Sequence, residues 1–239
     1  MSLTQLKIGH RLSLGFASVL VLLMALTALA WVGLRSSQAA TERVMALENR
    51  ASMTDELVAS TALNNSRVLA LAKSRNDADV ESYFQPLMAQ TSMRINELQA
   101  ALEKDISDEE GKALLAKIAT LQTDYMKERT SFFDILKTGD TAAAHLALGS
   151  GLQPAAESYS AAQAQLQVLQ RSMVETAVAD SAVTLRRNEM MLIALAAAAL
   201  VVATLVAWRI TVSVTAPVNE AVAIASAVAG GDLTRPVHT

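Results

Sequence analysis

Two charge-free apolar runs dominate the hydropathy pattern. The first, "LSLGFASVLVLLMALTALAWVGL", covers Leu12–Leu34 between Arg11 and Arg35; the second, "MMLIALAAAALVVATLVAW", covers Met190–Trp208 between Glu189 and Arg209. About twenty apolar residues carry a helix across a bilayer, and both runs reach that length. Trp31 and Trp208 stand near segment ends, where aromatic side chains anchor at the interface. A cleaved signal peptide is the competing reading of the first run. Its apolar region is longer than such peptides use, and Trp31 follows the single small-residue "ALA" site, so an uncleaved anchor is expected. A buried core helix competes for the second run, but its all-round hydrophobicity favours a span.

Between the runs the pattern changes to helical periodicity with three interruptions. "SRNDAD" (Ser74–Asp79) is a polar cluster of turn and cap residues. "DISDEEG" holds Ser107 and Glu110 at capping-box spacing. In "KTGDTAAAHLALGSGLQP", Gly139, Gly149 and Gly151 are expected to stop helices, and Pro154 suits a first turn. Four helices follow, at about 36–75, 80–105, 108–138 and 153–189. Neither Gly nor Pro occurs from Arg35 to Arg75 or from Ala155 to Arg209, so the first and fourth helices should continue into the spans. The outer part of the first would be roughly 60 Å long. Pro86 falls early in the second helix and is read as a possible boundary of a short capping helix. The fold class is all-α, an antiparallel up-down-up-down four-helix bundle continuous with two transmembrane helices.

The domain plan is a cytoplasmic N-terminus (1–11), a first span (12–34), an outer ligand-binding bundle (35–189), a second span (190–208) and a C-terminal linker (209–239). Lys7 and Arg11, with no acid before the first span, favour a cytoplasmic N-terminus and therefore a periplasmic bundle on an inner-membrane protein.

Composition narrows the function. Hydrophobic residues make up 52% and aromatics 4%, with nine Gly and four Pro, as a helical protein requires. A net charge of -3 leaves no basic footprint for nucleic acid, and the absence of Cys excludes disulfides and thiolate metal sites. The three histidines, His10, His145 and His238, are too scattered to form a metal site or a triad. No cofactor motif is present, and no enzymatic function is expected.

The helix faces are more informative. The third helix presents Ile118, Leu121, Tyr125, Arg129, Phe132 and Leu136, which places Arg129 on an apolar face. The second presents Phe84, Leu87 or Met88, Thr91, Ile95, Leu98 and Leu102. The first presents Leu57, Thr61, Asn64, Val68, Leu71 and Arg75, with Arg67 on its edge; the fourth adds Gln153 and Tyr159. Counted from the distal tip, Asn64, Thr91, Tyr125 and Arg129 lie within about two turns of one level. A polar layer that sets register, or an Arg that snorkels, explains each residue singly. Taken together they suggest a site for a small anion, because a desolvated guanidinium needs an anionic partner and no Asp or Glu falls on these faces there. A carboxylate would meet Arg129 or Arg67 bidentately, with Thr, Tyr and Asn completing its shell.

After Arg209 come Pro217, a stripe of Val218, Ala221, Ile224 and Val228, and then "GGDL". This order resembles a HAMP linker, whose first amphipathic helix opens on a Pro and stops at "GDL". With the outer bundle it resembles a methyl-accepting chemotaxis receptor. "NNSR" (Asn64–Arg67) resembles the segment where amino-acid receptors of that family place a ligand-binding Arg, and "LQPA" (Leu152–Ala155) the start of helix 4, where Gln153 would contact ligand. Ala155 stands where a ligand-binding Thr would be, and Arg129 lies outside the pattern. These departures count against aspartate specificity, and the implied ligand is a small carboxylate such as a di- or tricarboxylic acid, or an amino acid. The resemblance further implies a homodimer and its assembly into larger arrays, with helix 4 relaying a displacement through the second span. Kinase and adaptor would be contacted by a C-terminal domain that this chain is expected to lack. A sensor histidine kinase or cyclase with the same sensor, and a structural bundle without a ligand, are the alternatives.

Overall fold

The computed structural model describes residues 8–74 and 77–230. Its elements are α1 (Ile8–Lys73), α2 (Ala78–Asp105), α3 (Glu109–Lys137), α4 (Thr141–Ala147), a π-helical turn (Leu148–Leu152), α5 (Gln153–Ile210), a second π-helical turn (Thr211–Thr215) and α6 (Ala216–Ala229). There is no strand among the described residues. The chain forms two compact units: residues 40–180, and the residues up to 39 together with those from 181 onward.

The first unit is a four-helix bundle made by parts of α1, α2, α3 and α5. Neighbouring helices are identified by the bonds between them. Asn64 on α1 meets Ser92 on α2 at 3.0 Å, and Gln122 on α3 meets Asn96 on α2 at 3.2 Å. Lys117 on α3 meets Gln165 on α5 at 3.1 Å, and Gln163 on α5 meets Thr61 on α1 at 3.0 Å. Short connections force each helix to run antiparallel to the one before it. The expected faces form the core: Leu57, Leu102, Ile118 and Phe132 are at most 1% exposed, and Leu166 on α5 joins them at 0%. Each such side chain contributes about 1.5–3 kcal/mol through the water it sheds. Outside the core, Arg94 on α2 grips Glu56 on α1 with both ends of its fork (2.6 and 2.9 Å).

The connections correct three expectations. Asp108, not Ser107, caps α3: its carboxylate accepts from Gly111 N at 2.7 Å, and the helix starts one residue later. α2 runs unbroken through Pro86. Pro86 and Ser82 are both exposed, so the carbonyl left without its helical partner faces water and the loss costs little. Gly139 does end α3, with φ +81° and its N–H on the Leu136 carbonyl at 3.2 Å. Gly149 and Gly151, by contrast, stop nothing. Asp140 caps the short α4, which passes through the π-helical turn directly into α5. A wider turn inserts the extra residue without ending the helix.

In the second unit, the apolar parts of α1 and α5 contain windows of mean hydropathy 2.3 and 2.7, none of which is buried. Both are long and apolar enough to cross a membrane. Phe16 and Leu200 are 67% and 72% exposed, a state that lipid accommodates and water does not. The pair packs closely where a side chain is missing: a Cβ on Gly15 would meet Ile210 and Val206 at 2.8 and 3.0 Å. Near the other end Asn188 donates to Ser36 Oγ at 3.0 Å, and Trp31 underlies the Arg35 guanidinium at 5.2 Å. α6 begins at Ala216, one residue before Pro217, and "GDL" (Gly231–Leu233) lies outside the described residues.

Candidate ligand site in the bundle

A cavity of about 330 Å³ opens among α1, α2, α3 and α5 of the bundle. α1 lines it with Thr61, Asn64 and Asn65, and α2 with Ser92, Ile95 and Asn96. α3 brings Gln122, Thr123, Tyr125, Met126 and Arg129, and α5 brings Tyr159. Asn64, Tyr125, Arg129 and Tyr159, all singled out from the helix faces, are thus gathered around one space.

The floor is aromatic. Tyr125 and Tyr159 stack with ring centres 5.8 Å apart and planes 19° apart. Tyr159 Oη accepts from Gln99 Nε2 at 3.2 Å. Burial is the main force on the Tyr159 phenol, and it outweighs the neighbouring hydrogen bonds to push its pKa up to about 12. Burial likewise raises that of Tyr125, although the nearby Arg129 guanidinium pulls the other way. Despite this proximity the Tyr125 hydroxyl makes no hydrogen bond of good geometry, and it is buried.

The walls hold several unpaired polar atoms. Asn64 donates to Ser92 Oγ, but its buried Oδ1 has no partner. Asn65 donates to Ser160 Oγ at 3.4 Å, and its Oδ1 is equally unpaired. Arg129 is half-buried and its one hydrogen bond is to Met126 Sδ, at 3.8 Å. No Asp or Glu lines the cavity. Buried polar groups without partners carry a desolvation cost, so the arrangement favours a molecule that satisfies them.

The other expected residues lie elsewhere. Arg67 donates to Thr91 Oγ1 at 2.6 Å and to the Leu87 carbonyl at 2.9 Å, closing a separate cluster between α1 and α2. Gln153 is exposed and bonds Glu157 at 3.1 Å, one turn along α5. Arg75 lies outside the described residues. The helix faces missed Asn65, Ser92, Asn96, Gln122, Thr123 and Met126. All but Thr123 are adjacent in sequence to a face residue, which is the only signal they carry; Thr123 lies two positions from both Leu121 and Tyr125.

A family model for a four-helix-bundle sensory module for signal transduction matches residues 5–185. The chain belongs to this family. No curated protein matches the chain. The matched residues take in the first apolar run and all of the bundle, so the cavity lies within the sensory module. Such a module is a membrane-anchored receptor part of a signalling protein, not a catalytic one.

Proposed function

We propose that the chain is the sensory part of a bacterial chemoreceptor in the inner membrane, which binds a small organic anion in a periplasmic bundle. The observation that carries this reading is a cavity with one guanidinium and no carboxylate, inside a sensory module. A guanidinium without a counter-ion prefers the state in which a carboxylate reaches it. Arg129 is the anion's partner, with the Tyr125 hydroxyl completing its shell. In the domain plan, residues 35–189 sense, 12–34 and 190–208 span the membrane, and 209–239 begin a HAMP linker with both chain ends in the cytoplasm. Two copies form a dimer, and a cytoplasmic kinase and adaptor receive the signal.

Relay requires that the ligand bind one packing of the helices more tightly than another. α5 is unbroken from Gln153 to Ile210, and Tyr159 stands on it at the cavity wall, so a change in the cavity acts directly on this helix. The test is a thermal-shift screen of the full chain in detergent against small carboxylates. At least one should raise the melting temperature saturably, and Arg129→Ala should remove that gain without unfolding the bundle. A folded chain that no anion stabilises would overturn the proposal.

A further inference from the structure

The chemistry of the cavity wall narrows the ligand further, on the reading that the cavity binds an anion. Four carboxamides line it (Asn64, Asn65, Asn96 and Gln122), with three aliphatic hydroxyls, two phenols, one guanidinium and two apolar side chains. The polar lining is thus neutral and dense in hydrogen-bonding groups, with a single positive charge at Arg129.

That charge count discriminates between classes of acid. A dicarboxylate or tricarboxylate would place one anionic group on Arg129 and leave the rest without a cation in the wall. An amino acid would satisfy Arg129 with its carboxylate, but its ammonium would find no Asp or Glu. An unpaired charge is expensive at the buried end of the cavity, beside Asn64, Tyr125 and Tyr159. A neutral sugar avoids both costs yet leaves Arg129 as bare as before. A hydroxyl donates and accepts at once, which is what carboxamides and hydroxyls match. The unpaired Oδ1 atoms of Asn64 and Asn65 and the free Tyr125 Oη are ready partners for hydroxyl groups. The cavity volume of about 330 Å³ falls in the range of small-molecule sites, room for a chain of about five or six carbons with its oxygens.

We infer that the cavity binds a sugar acid: one carboxylate on Arg129 and several hydroxyls on the carboxamide wall. Asn96 and Gln122, already bonded to each other at 3.2 Å, form the part of that wall contributed by α2 and α3. They act as specificity residues, since their amides can bond a hydroxyl fully but bring no positive charge to balance a second anionic group.

Calorimetric titration of the full chain in detergent tests this with sodium gluconate, glucose, succinate and serine. Gluconate should bind at one per chain, and glucose, succinate and serine about tenfold more weakly or worse. Arg129→Gln should reduce gluconate to the level of glucose. Asn96→Ala, an exposed position that leaves the core intact, should weaken gluconate about three- to tenfold. Succinate or serine binding as tightly as gluconate, with Arg129→Gln still abolishing it, would overturn the sugar-acid inference while leaving anion sensing standing. Gluconate binding that neither substitution alters would place its site elsewhere and overturn the inference. If no carboxylate binds the folded chain, both readings fail.

Discussion

Arg67 Nη1 reaches Thr91 Oγ1 at 2.6 Å, and this bond takes both residues out of the cavity. Thr91 also donates to the Leu87 carbonyl at 2.8 Å, which Arg67 reaches too, so the cluster is closed and satisfied without a ligand. Arg67 therefore joins α1 to α2, whereas Arg129 remains open to an anion.

The two arginines should then separate in mutants. Arg67→Ala should lower bundle stability by about 1–3 kcal/mol, since Thr91 Oγ1 and the Leu87 carbonyl lose a half-buried charged donor. It should change carboxylate affinity by less than about threefold. Arg129→Ala should do the reverse, abolishing binding while leaving the melting temperature of the free chain nearly unchanged. Equal loss of affinity in both variants would return Arg67 to the site.

Gln170 is completely buried, and neither end of its amide has a hydrogen-bond partner. Gln170→Leu should therefore raise stability, by about 1–3 kcal/mol if the whole desolvation cost is recovered. Chemical denaturation of the full chain measures this. A less stable variant would show that the amide is satisfied in solution.

Acid should weaken the bundle through two interhelical carboxylates. Asp55 is under opposing influences: burial acts to raise its pKa, but bonds from Gln167 and Arg171 and the Arg171 charge prevail and hold it below the usual 3.8. At Glu56 the bond from Arg94 dominates over burial, and the pKa lies below the usual 4.5. Groups with depressed folded pKa values contribute stability above their unfolded pKa and lose it as pH falls through the folded value. Melting temperature should thus decline below about pH 4.5, and less steeply in Asp55→Asn with Glu56→Gln. Parallel melting curves for the two proteins between about pH 3 and pH 7 would rule this out.

Alkali acts through the aromatic floor with the opposite sign. Tyr159 has its pKa raised from 10.0 to about 12, so its contribution is complete below the unfolded value and lost as pH rises between them. Tyr159→Phe should remove much of the alkaline loss, Tyr125 supplying the remainder. At neutral pH the same change should cost about 1–3 kcal/mol, because Gln99 Nε2 loses its acceptor. Melts of both proteins from about pH 8 to pH 11 test the two effects together, and an unchanged alkaline slope would contradict the assignment.

The sequence by itself determined the two apolar runs, the four long helices and the buried faces of the first three. Those properties are local. A charge-free run of about twenty residues, an Asp at a cap and an apolar residue every three or four positions act through neighbours along the chain. Gly139 was legible for the same reason, since an unstrained left-handed residue is a property of glycine alone. Gly149 and Gly151 were not, because a π-helical turn between packed helices kept the chain helical where local preference marks a stop. The site was legible only in part. Asn64, Tyr125, Arg129 and Tyr159 were visible as polar or aromatic interruptions of apolar faces, but Arg67 and Gln153 looked equally suitable. Only the tertiary structure decided among them. Successive helical residues point about 100° apart, so a small rotation of one helix against its neighbour selects whether a guanidinium meets a threonine or an empty cavity. That rotation is set by the packing of all four helices together, and no single helix encodes it.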